Sequence, residues 1–73
     1  MKNIVAYITK DLDSELYVAI VPSIKGAHTQ AETLDELQRN IKEVVELCIE
    51  EMDTESKNLI PEFVGLQQFA VSV

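Results

Sequence analysis

Few residues in this chain are equipped for chemistry. There is one histidine, His28, one cysteine, Cys48, and two settings of carboxylates: Asp11 with Asp13, and Glu43, Glu46 and Glu50. A histidine base needs a nucleophilic hydroxyl beside it and a third group to orient it. Ser14, Ser23, Ser56 and Ser72 supply hydroxyls, but no spacing pairs one of them with His28. One thiol and one imidazole cannot close a four-ligand zinc site of the Cys/His type. Nothing around His28 has the spacing of a carboxylate metal site either. Two glycines in the whole chain leave no phosphate-cradling loop. No catalytic, cofactor-binding or metal-binding residue is therefore assigned, no cofactor is implied, and the chain is expected not to be an enzyme.

The same residues have plainer uses. Asp11 and Asp13 fall in "KDLDS", a polar turn in which aspartates hydrogen-bond their own backbone. Glu43, Glu46 and Glu50 recur at helical spacing. They read either as a grip on a basic partner or as a solvated face. His28 reads as a surface residue of a strand or turn, open to the same partner. Cys48 falls among apolar helix positions and reads as an inert core residue. The rival enzymatic reading is a degenerate nuclease or hydrolase using Asp11, Asp13 or His28.

The elements that must position these residues follow from periodicity. Residues 2–9 and 15–21 are two β-runs around the polar turn at 10–14, a hairpin pattern. Pro22 ends the second run, having no N–H to give to a ladder. Gly26 marks a bend, and residues 27–31 suit a short third strand. Thr33 followed by Glu36 forms a capping box, which opens a helix from Leu34 to about Met52. Leu34, Leu37, Ile41, Val44, Val45, Cys48 and Met52 share one arc of that helix, with Leu47 and Ile49 flanking it. Residues 53–61 read as a loop. Residues 66–73, alternating at Phe69, Val71 and Val73, read as a last strand that returns beside an early one. The expected fold is α+β, in the order β-β-β-α-β, with one long helix on a small, mostly antiparallel sheet.

Size and charge narrow the function. The 73 residues make a single domain, 1–73, with a marginal core and no possible intrachain disulfide. One helix covers one sheet face, yet the strands carry apolar residues on both alternations. Both points call for a homo-oligomer, dimer or tetramer, or for another protein partner. The net charge is −7, and the excess lies in residues 32–55. That surface repels phosphate, so direct nucleic-acid binding is disfavoured, and it speeds the approach of a basic partner. No apolar run reaches membrane-span length. The Met1-Lys2-Asn3 start has no signal-peptide pattern. The single thiol suits a reducing compartment, so the expected location is the cytoplasm.

Residues 17–51, "YVAIVPSIKGAHTQAETLDELQRNIKEVVELCIEE", resemble the HicB-like antitoxin family. The likeness rests on Tyr17, Pro22, Ile24, Gly26, the polar strand His28-Thr29-Gln30, then Glu32-Thr33 and Glu36. "LIPEF" at 59–63 is similar to that family's approach to its last strand. Ala31 and Leu37 depart from the glycine and alanine often found there. The resemblance implies a partial ribonuclease-H-like fold lacking the catalytic carboxylates. It also implies an antitoxin of a type II toxin–antitoxin pair, occluding a small basic RNA-cleaving toxin of the HicA type. Many HicB-like proteins carry a C-terminal DNA-binding domain. This sequence has none after Val73, so direct operator binding is not expected. The alternative within binding proteins is a stand-alone homo-oligomeric interaction domain.

Overall fold

The computed structural model describes residues 3–73. Lys2, the first residue of the expected strand at 2–9, lies outside the described residues, as does the Met1-Lys2 start. Three strands form: β1 (Tyr7–Lys10), β2 (Tyr17–Ile20) and β3 (His28–Ala31). They pair antiparallel in the order β1-β2-β3. Ile8 faces Ala19 and Ala19 faces Thr29, while Tyr7 faces Ile20 and Ile20 faces His28. A long helix, α1 (Leu34–Glu51), follows, then one short turn of helix, α2 (Thr54–Asn58). The α+β arrangement, a three-stranded antiparallel sheet and then one long helix, is the one the sequence patterning predicts.

Capping explains where α1 starts. Thr33 is extended, at φ −128° and ψ 156°, and its hydroxyl accepts from the Glu36 N–H at 3.2 Å. That satisfies one of the donors every helix leaves orphaned. At the far end the Met52 N–H returns to the Ile49 carbonyl at 3.1 Å, and Met52 itself is extended. Asp53 then caps α2 by accepting from the Ser56 N–H at 2.7 Å. The loop expected at 53–61 therefore holds a helical turn.

Cross-strand partners share a sheet face, and successive residues alternate between faces. Ala19 and Ala31 are buried with Leu37 of α1, with Ala6, Tyr17 and Ile41 packed around them. Val21, Ile24 and Ala27 form the second part of the core, against Val44, Val45, Cys48, Ile49 and Met52. Within the helix, Leu34 turns outward and is half exposed, while Ile49 faces the core. Leu47 stays exposed. The helix packs mainly over β3, less over β2, and not to any comparable extent over β1. All four residues of β1 are consequently exposed, including Ile8, which lies on the helix side of the sheet.

The last strand is a correction. Residues 61–73 form no strand, and every one of them is exposed. Alternation makes a segment competent to be a strand, but a strand exists only when an edge pairs with it. Within the described residues of this chain, no edge takes up that segment.

Candidate functional site

The corner between β2 and β3 is structural. The Val21 N–H donates to the Ala27 carbonyl at 2.9 Å, closing the loop on itself. The Ile24 N–H donates back to Val21, and the Ala27 N–H donates to Ile24. Gly26 has φ +83°, a left-handed conformation that glycine adopts without a Cβ penalty. The loop exists to drive Ile24 into the core, where it is 1% exposed. Pro22 and Gly26 announce the corner in the sequence. The anchoring role of Ile24 does not show there, because its only signal is one apolar residue between polar ones.

The β1–β2 turn accounts for Asp11. The Ser14 N–H and hydroxyl both donate to Asp11 Oδ2, at 2.9 and 2.8 Å. The Ser14 hydroxyl oxygen in turn accepts from the Leu16 N–H at 3.2 Å. The bonds from Ser14 hold the Asp11 carboxyl below its ordinary value of 3.8. Glu15 occupies the left-handed region at φ 62°, where a non-glycine residue is strained. His28 pairs across Ile20 to Tyr7, while Asp11 follows Lys10 at the other end of β1. Four strand residues of about 3.3 Å each put the two roughly 13 Å apart along the sheet. They form no common centre. Among the described residues, no group of three or more His, Cys, Asp or Glu side chains is placed to hold a metal ion.

Two surfaces remain. The first is the exposed ridge of α1. Glu43, Glu46 and Glu50 are all exposed and fall within about 60° of helix arc. Glu46 also lines a shallow groove of about 250 Å³ between α1 and the approach to β1, beside Ile4, Ala6, Ile41 and Val45. The second surface is the open sheet face. Ala27 and Ala31 point to the helix, so His28 and Gln30 point away from it. His28 is exposed there in one row with Tyr7 and Ile20, which are 60% and 50% exposed. The three glutamates thus lie together, and His28 lies across the sheet from them.

The open face continues into a groove of about 260 Å³. Val5, Tyr7 and Pro22 line one side, and Phe63, Val64 and Leu66, from the start of the C-terminal segment, line the other. Beyond it Phe69, Val71 and Val73 stand in solvent. No helix among the described residues is long and apolar enough to cross a membrane.

Fold and surfaces together define a class: a small α+β domain whose distinguishing features are an uncovered strand, an exposed apolar segment and an acidic helix. The chain belongs to the UPF0150 family. It is 45% identical over 64 residues to a UPF0150 protein of Synechocystis, covering 88% of this chain and 87% of the relative. A UPF0150 protein of Thermotoga maritima is 40% identical, with 97% of each chain covered. One of Archaeoglobus fulgidus is 48% identical over 61 residues, covering 82% and 81%. No family model matches the chain, and no solved structure matches it significantly.

Proposed function

We propose that this UPF0150 protein is an antitoxin-like inhibitor, a non-enzymatic cytoplasmic protein that binds and occludes a small basic RNA-cleaving toxin of the HicA type. The observation carrying this reading is the ridge of Glu43, Glu46 and Glu50, exposed on one arc of α1 in a chain of net charge −7. A basic nuclease surface must attract RNA phosphate, so an acidic ridge is complementary to it and competes for it. The resemblance of residues 17–51 to HicB-like antitoxins, and with it the partial ribonuclease-H-like fold, supports the same reading. His28 would belong to a separate contact on the open sheet face. The acidic surface also disfavours direct nucleic-acid binding by the chain itself.

The test is isolation of the tagged chain from its native host, followed by assay of any small basic protein that accompanies it. One equivalent of the chain should abolish that protein's ribonuclease activity. Changing Glu43, Glu46 and Glu50 to lysine should weaken the complex at least tenfold, chiefly through slower association at low salt, while circular dichroism stays unchanged. A partner without ribonuclease activity would overturn the toxin assignment. Unchanged affinity in the triple variant would move the interface off α1. The second reading, a homo-oligomeric domain without a toxin, is favoured by the apolar C-terminal segment.

A further inference from the structure

We propose that residues 66–73 act as an exchanged strand, pairing with β1 of a second copy of this chain. The proposal does not rest on the antitoxin reading and is tested on the purified chain alone.

The segment has the makings of a strand, yet among the described residues it pairs with none of the three strands of its own chain. Gln67, Phe69, Val71 and Val73 fall on one alternation; Leu66, Gln68, Ala70 and Ser72 fall on the other. Phe69 is 74% exposed and Val71 67% exposed. A compact 73-residue chain has a radius of gyration of about 11 Å, and this one has 13.8 Å. A compact protein of 8.2 kDa exposes about 4,500 Å², and this one exposes 6427 Å². The surplus, about 1,900 Å², exceeds the roughly 800 Å² that each partner loses in a standard stable interface.

The receiving edge is β1. The sheet has two edge strands, β1 and β3. The second lies under α1 and reads His-Thr-Gln-Ala. The first is uncovered on both faces and presents Tyr7 on one and Ile8 on the other. A strand laid beside β1 continues both sheet faces and buries apolar surface on each.

The distribution of charge suits another copy of this chain as the occupant. Two chains of net charge −7 repel wherever their acidic helices meet. Residues 3–10 and 61–73 together carry one base, Lys10, and one acid, Glu62. This is the neutral, apolar part of an acidic molecule, where copies can touch without bringing the α1 ridges together. An eight-residue strand reaches about 26 Å, against about 13 Å for the four residues of β1. The root of the segment already lies beside Val5 and Tyr7, so a two-fold axis near that groove would let both segments cross reciprocally.

Light scattering on the purified chain should give twice the monomer mass or a multiple of it. Ala70→Pro, which fixes φ and removes a backbone N–H in the middle of the segment, should yield a monomer that keeps the wild-type helical signal. Phe69→Glu should do the same by placing a charge in the interface. Isotope-filtered NMR on mixed labelled and unlabelled chains should find contacts between β1 of one chain and residues 66–73 of the other. A monomeric wild type overturns the proposal. An oligomer unaffected by both variants overturns it, as do contacts found only within one chain.

Discussion

Ile24 shows how much one side chain contributes to a domain this small. It sits between Val21 and Ala27 beneath α1, so Ile24→Ala leaves a cavity that a closed loop cannot fill. The expected cost is about 2–4 kcal/mol, a large share of the stability of any small domain. Urea unfolding followed by circular dichroism should show the midpoint falling with little change in slope. Asp11 and Asp53 contribute to the pH dependence of stability in acid. Both carboxyls lie below 3.8, Asp11 through the bonds from Ser14 and Asp53 through those from Ser56. A carboxyl depressed on folding contributes stability above its unfolded value, and that stability is lost as pH falls through the folded value. The loss therefore falls below about pH 4. Thermal melts from pH 6 to pH 2 should decline less steeply for the Asp11→Asn, Asp53→Asn double variant than for the wild type. Pro22, Gly26 and Thr33 are legible in the sequence because each acts through its own backbone or its neighbours'. The burial of Ile24 is not, because it depends on what the helix brings over the loop.

At the scale of elements, local rules were enough wherever the partner was close in sequence. The β1–β2 hairpin, the third strand and the helix all pair or pack with near neighbours, and alternation and capping find them. The turn of α2 had a readable signal too, Asp53 three residues before Ser56 with Glu55 in the first turn, but it is short enough to pass for a loop. The strand at 66–73 fails for a different reason: its pattern is correct, but pattern alone does not supply an edge. The acidic ridge was legible as a row on one helix face. The separation of His28 from that row was not, because it follows from which face α1 covers. The helix also carries a correctable flaw. Its last turn has no basic residue, and Glu50 and Glu51 stand next to the negative end of the helix dipole. Glu51→Lys should therefore stabilise the fold by about 0.5–1 kcal/mol. Differential scanning calorimetry should register a rise of a few degrees, about 4–8 °C per kcal/mol for a domain of this size.

For the molecule as a whole, the off-centre seat of α1 matters most. The helix clamps β3 and β2 and leaves β1 held by a single ladder. Resistance to local opening should then grade across the sheet instead of being uniform. In native-state hydrogen exchange on the monomeric Ala70→Pro variant, the β1 amides bonded to β2 should exchange through fraying, at rates insensitive to low denaturant. Amides in β2, β3 and the middle of α1 should exchange only through global opening. Equal protection across all three strands would mean that the sheet opens as one unit. A gradient would mark β1 as the part of the fold kept loose, a hinge-like margin on a rigid helix-clamped body.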